Sequence, residues 1–143
     1  RRVRYPFIRY NGRGIESYFC PEDDCERHVA EALSRANHSI RFVLYSFTSD
    51  RIGDILVARH QAGLSVSGIV GTRNAFDEFD RLRGAGIDVV FNASIHDKVF
   101  IIDDKTVITG SYNPSKNGDQ RNDENLLIIE DQDVVKRFVE EFS

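Results

Sequence analysis

Methionine and tryptophan are absent from the 143 residues, cysteine occurs twice and proline three times. A chain that starts without methionine is compatible with a removed leader or anchor, so its start assigns no compartment. No apolar run approaches the roughly 18 residues that a membrane-spanning helix needs, which excludes such a helix from this stretch. Two cysteines are too few for the disulfide framework of a small secreted scaffold. Basic residues are scarce once the first 13 positions are passed: of 19 in the chain, 14 remain there against 23 acidic ones. That imbalance excludes a broad basic face on the body of the protein, the usual footprint of a nucleic-acid binder.

What is present fits one globular domain. A chain that is 41% hydrophobic and 29% charged can bury a core, and this length leaves little room for a second one. The organisation expected is a basic N-terminal arm over residues 1–14 and a single domain over 15–143. Arg1, Arg2, Arg4, Arg9 and Arg13 give the arm its charge. It is either a contact to phosphate backbone or anionic lipid, or a solvated tail. Cys20 and Cys25 bracket Pro21-Glu22-Asp23-Asp24, where they form a local disulfide or remain two thiols. With His28 they would supply three zinc ligands, but a structural site takes four. No fourth is evident nearby, so neither a metal nor a cofactor is expected. A disulfide would indicate secretion; two thiols would suit the cytoplasm.

Hydrophobic periodicity gives the order of elements. Residues 15–19 alternate as a strand, and the acids after Pro21 open a helix that runs to about residue 37. Its spacing buries Val29, Ala32, Leu33 and Ala36. Strands are expected over 40–47, 64–70 and 87–91, with helices over 49–63 and 75–83 between them. The strands over 98–102 and 106–108 are separated only by Asp103-Asp104-Lys105, a hairpin. A strand over 125–129 and a helix over 134–142 close the chain. The fold class expected is α/β, with a mixed, mostly parallel β-sheet flanked by helices on both faces.

The chemistry concentrates between His96 and Glu124. In a strand, side chains two apart share a face, so His96 and Lys98 hold an imidazole beside an ammonium where a buried strand begins. Gly110-Ser111-Tyr112-Asn113 sits at another strand end, with Ser111 and Asn113 able to face the same way. Glu124 opens the next apolar strand. Such a cluster suits a phosphate: Lys98 neutralises charge, Ser111 and Asn113 donate hydrogen bonds, and a carboxylate fixes the imidazole tautomer. Taken singly, each feature has an ordinary structural reading, as surface decoration or turn chemistry.

Taken together they resemble the phospholipase D superfamily. Its pattern His-x-Lys-x4-Asp, then Gly-Ser-x-Asn, is read here as His96, Lys98, Asp103, Gly110, Ser111 and Asn113, and Glu124 matches the downstream acid. Tyr45-Ser46-Phe47-Thr48 and the turns at Gly63 and Gly84-Ala85-Gly86 resemble the compact single-motif branch, which includes small bacterial endonucleases and mitochondrial cardiolipin hydrolases. The resemblance implies that His96 is the nucleophile of a phosphohistidine intermediate in a metal-independent reaction. Lys98, Ser111 and Asn113 would bind the phosphate and Glu124 would orient His96, with Asp103 and Gly110 in structural support. The chain departs from many relatives at Asp97, where they carry a second histidine.

Displacement at phosphorus needs a nucleophile on one side and an acid facing the leaving oxygen on the other. One motif supplies one imidazole, so a homodimer apposing two His96 residues at its twofold axis is expected. An endonuclease cleaving DNA or RNA is the leading reading. A phospholipase D or cardiolipin hydrolase acting at a phospholipid membrane is the alternative.

Overall fold

Asn11 and Gly12 both adopt positive φ, 48° and 74°, the backbone of a tight hairpin turn that matches strand twist. They join the first two strands of the computed structural model, which describes residues 5–143. These are β1 (Phe7–Tyr10) and β2 (Arg13–Cys20). Then follow α1 (Cys25–Ser34), β3 (Ser39–Leu44), α2 (Asp50–Gln61), β4 (Ser65–Val70), α3 (Phe79–Gly84) and β5 (Asp88–Phe91). The chain ends with β6 (Lys98–Ile102), β7 (Thr106–Gly110), α4 (Lys116–Gln120), β8 (Glu124–Glu130) and α5 (Gln132–Glu141).

All these strands form one sheet in the order β1-β2-β8-β7-β6-β3-β4-β5. It is mixed, but the expectation that it is mostly parallel is corrected: only β3–β4 and β4–β5 run parallel. The remaining pairs are antiparallel. The strand–helix rhythm governs only the stretch from β3 to β5. Beyond it β6 returns beside β3 in the opposite direction, and hairpin-like connections carry the chain through β7 and β8. Within the stretch expected as a basic arm, Phe7–Tyr10 forms β1 and Arg13 opens β2, and β1 hydrogen-bonds to β2 along its length. Arg1, Arg2 and Arg4 lie outside the described residues.

Period-two alternation splits the strands between two cores. Phe42, Leu44, Phe100, Ile102, Ile108, Leu126 and Ile128 face one way, against Val29 and Leu33 of α1, Ile52 and Leu56 of α2 and Leu82 of α3. Val99, Ile101 and Val107 face the other way, against Val135, Phe138, Val139 and Phe142. Helices therefore cover both faces, and each such side chain contributes about 1.5–3 kcal/mol on burial. Side-chain caps start α1, α2 and α5: Asp24 accepts from the Arg27 amide (3.3 Å), Ser49 from Ile52 (3.2 Å) and Asp131 from Asp133 (3.0 Å).

Register then brings several strand ends to one edge. Leu44 at the end of β3 pairs with Lys98 at the start of β6. Gly110 at the end of β7 pairs with Leu126, and Cys20 at the end of β2 pairs with Glu124. Residues more than ten positions apart in sequence therefore emerge side by side.

Candidate active site

His96 lies in the extended segment just before β6, exposed, with Lys98 at the strand's first position. The Lys98 ammonium donates to the His96 carbonyl at 2.6 Å and stands 3.3 Å from His96 Nδ1. The sequence expectation of an imidazole beside an ammonium describes this arrangement, with the backbone carbonyl as an added anchor for the lysine.

Gly110 ends β7 with φ 137°, a conformation that favours glycine. A Cβ there would also lie 2.4 Å from the Asn125 carbonyl oxygen. That close approach lets the next residues lock onto β8. The Ser111 amide donates to the Asn125 side chain (3.1 Å) and the Asn125 amide donates to Ser111 Oγ (3.0 Å). With its oxygen accepting, the Ser111 hydroxyl keeps a proton to donate. Asn113 is arranged on the same principle. Its Oδ1 accepts from the Ser46 amide at 3.2 Å, which leaves its NH2 as the outward-facing function. Between them Tyr112 is buried and donates its phenol proton to Asp119 of α4. Burial and that carboxylate push the Tyr112 phenol up, so it stays neutral.

A turn absent from the sequence reasoning ties these halves together. Directly after β3, the Tyr45 amide donates to the Asp97 carbonyl (2.8 Å), and the Ser46 amide to Asn113. The Thr48 and Ser49 amides both donate to the Pro114 carbonyl (2.9 Å each). Four consecutive-region amides thus hold the His96 segment on one side and the Asn113 segment on the other. The sequence assigns Asn125, Tyr45 and Ser46 no role; Asn125 enters only in the Asn122-Asp123-Glu124-Asn125 match around the acid, and Tyr45 and Ser46 only in the Tyr45-Ser46-Phe47-Thr48 likeness.

Glu124 starts β8 at the same edge, with β7 between it and β6. Its carboxylate makes no hydrogen bond or ion pair to the described residues of its own chain, and none to His96. Asp103 lies at the opposite end of β6. It accepts from the amides of Asn37 (3.0 Å), His38 (2.7 Å) and Ser39 (3.0 Å). Burial works to raise its pKa, and those amides outweigh burial and hold it below the ordinary carboxylate value.

Cys20 and Cys25 are joined as a disulfide with Cα atoms 5.8 Å apart, beside Glu124 in the sheet. His28 stacks on Tyr18, ring centroids 3.6 Å apart. Burial, and then the charge of Arg27, holds its pKa down. The cysteines are thus bonded to each other, and among the described residues no group of His, Cys, Asp and Glu converges as a metal site. Of the arm, Arg9 is exposed on the edge strand. Arg13 is ion-paired with Asp131 (3.1 Å) and Asp133 (2.7 Å), away from the His96 edge.

Comparison with known proteins places this geometry among relatives. The family model described as "Cardiolipin synthase, PLD-like domain" matches residues 29–143. The phospholipase D of Rickettsia typhi is 30% identical over 95% of this chain and 70% of its own length. The mitochondrial cardiolipin hydrolase of Mus musculus is 36% identical over 80% of this chain, which spans about half (54%) of that relative. Among solved structures, a phospholipase D family member, Nuc from Salmonella typhimurium, superposes with a TM-score of 0.83. It is 29% identical and covers 90% of this chain and 91% of its own.

Proposed function

Because the chain belongs to the phospholipase D superfamily, we propose that it hydrolyses phosphodiester bonds through a covalent phosphohistidine on His96. The observation that carries the reading is the pairing of Lys98 with His96, 3.3 Å apart, beside the donors left free on Ser111 and Asn113. An imidazole nitrogen of His96 attacks phosphorus, a P–N bond forms and the P–O bond to the leaving group breaks. Lys98, Ser111 and Asn113 stabilise the charge gathering on the phosphoryl oxygens, the role a metal ion plays in other phosphodiesterases. Glu124 does not reach His96 within its own chain, so orienting an imidazole would fall to it only across the shared site.

The leaving oxygen takes a proton from His96 of a second copy, which then accepts the proton of the water that cleaves the P–N bond. Two features support a shared site. His96 is exposed, and the other histidines are occupied elsewhere: His28 on Tyr18, His38 at the Asp103 end of the sheet, and His60 at the end of α2.

DNA or RNA is the favoured substrate. Tyr45, 37% accessible, stands beside the Lys98 ammonium where the half-site opens, and an aromatic face beside a cation suits an unpaired base. A phospholipid is the second reading, favoured by the likeness to a phospholipase D and a cardiolipin hydrolase. The disulfide suits an oxidising compartment.

The test is hydrolysis of bis-p-nitrophenyl phosphate in excess EDTA, which wild type should sustain and His96→Ala should abolish. Loss of activity with chelator would overturn the metal-independent mechanism. Single-stranded DNA, duplex DNA, RNA and cardiolipin vesicles compared in the same buffer distinguish the substrates.

A further inference from the structure

Tyr45 occupies a place that its sequence context does not explain. It is the first residue past β3, where the sheet ends, yet its ring turns onto the half-site instead of into either core. The ring centroid lies 4.8 Å from that of His96, with the planes inclined by 40°. The Lys98 ammonium sits 5.7 Å from the same centroid. One aromatic side chain therefore touches both members of the pair.

Two further features hold it there. The Tyr45 amide donates to the Asp97 carbonyl, between His96 and Lys98 in the chain. Gly71, at the end of β4, leaves the space the ring needs. A Cβ on residue 71 would stand 3.0 Å from Tyr45 Cδ2, 3.1 Å from its Cα and 2.6 Å from the Ile95 carbonyl oxygen. The phenol oxygen, by contrast, makes no hydrogen bond to the described residues. The contacts belong to the ring and the backbone, not to the hydroxyl.

Little else fixes the His96 ring. It is exposed, and among the described residues its side-chain hydrogen-bond and ring contacts are Lys98 at Nδ1 and the tilted ring of Tyr45. A nucleophile must point its reacting nitrogen along the line of attack, and a small angular error lowers the rate far more than it lowers substrate binding.

We propose that Tyr45 is a positioning residue for His96: its aromatic ring sets the plane of the imidazole and keeps the Lys98 ammonium on the phosphate-facing side. This rests on the reading of His96 as the nucleophile. The ring acts through His96 and takes no part in bond making.

The experiment compares Tyr45→Phe, Tyr45→Leu and wild type as full chains, by steady-state hydrolysis of bis-p-nitrophenyl phosphate and by NMR of the His96 ring protons, assigned with His96→Ala. Phe should retain kcat within about twofold of wild type. Leu should lower kcat on the order of tenfold to a hundredfold with KM nearly unchanged. The His96 ring protons should lose the ring-current shift in Tyr45→Leu and keep it in Tyr45→Phe, while the amide spectrum of β3 and β6 stays in place. The proposal is overturned if Leu keeps wild-type kcat, if Phe falls as far as Leu, or if the His96 resonances do not move. A wild-type chain inactive on the ester, or a fully active His96→Ala, would instead remove the nucleophile reading; the His96 resonances would still decide whether Tyr45 orients that ring.

Discussion

Asp103 follows β6 with φ 55°, a left-handed conformation that aspartate tolerates better than most residues. From there its carboxylate gathers the amides of Asn37, His38 and Ser39, tying the hairpin to the chain entering β3. Asp103→Ala removes three charge-assisted hydrogen bonds and leaves those amides to solvent. We expect a loss of about 2–3 kcal/mol in urea unfolding, with kcat of the folded protein unchanged because the half-site is at the other end of β6. Its folded pKa is depressed, so this stabilisation is present above the ordinary carboxylate value and is lost as pH falls through the lower, folded one. The difference between wild type and Asp103→Ala should therefore shrink in strongly acidic buffer. A variant as stable as wild type at neutral pH would refute the role.

At the scale of elements, α4 closes over the loop that carries Ser111 and Asn113. Gly118 permits this: a Cβ there would lie 2.3 Å from the Asn113 carbonyl oxygen. Packing α4 so closely brings Asp119 against the buried Tyr112 phenol and the carboxylates of Glu26 and Asp24. Glu26 itself accepts from Ser49 Oγ at 2.9 Å and lies 3.7 Å from Arg51. Burial above all, then the neighbouring Glu26 and Asp24, pushes Asp119 up to about 7 against the opposing phenol hydrogen bond. A carboxyl whose pKa rises on folding stabilises the native state while it is protonated. That contribution is complete below the unfolded value and disappears as pH rises through about 7. Asp119→Asn should therefore flatten this part of the stability–pH curve and raise Tm at pH 8, by about 2–4 °C for each kcal/mol relieved. An unchanged Tm at pH 8 would count against it.

Elements also mark what could be read before the structure. Helices α1, α2 and α5 and most strands followed from periodicity, because each buries one face. The strand β1 is signalled by Phe7, Ile8 and Tyr10 before Asn11-Gly12, a strong hairpin pair, but the five arginines around it give the stretch the composition of a charged arm. The mixed sheet and the β6–β7 hairpin are legible in the sequence, but the share of antiparallel pairs is not, because the β3–β6 pairing joins residues far apart in sequence, which no local pattern encodes. Lys98 and His96 were legible as neighbours in one segment. Tyr45 and Asn125 were not, since their contacts form only when separate strands end at one edge. α4, a short helix with Gly118 inside it, has no periodicity to reveal it.

At the scale of the whole molecule, one chain presents one His96, exposed, beside Lys98 and at the same sheet edge as Ser111 and Asn113. On the proposed mechanism, the two chemical tasks of displacement at phosphorus, attack and proton donation, would fall to two imidazoles on opposite sides of the phosphate. A homodimer with both at a shared centre, as proposed, would make each chain necessary to the other. Wild-type and His96→Ala chains, refolded together in varied ratios, discriminate the arrangements. If each site needs both imidazoles, a mixed dimer is inactive, and total activity should follow the square of the wild-type fraction. If a chain acts alone, activity should follow that fraction linearly, and the shared centre would have to be abandoned. Sedimentation of the same mixtures, showing the dimer throughout, ties the quadratic loss to the missing imidazole and not to failed assembly.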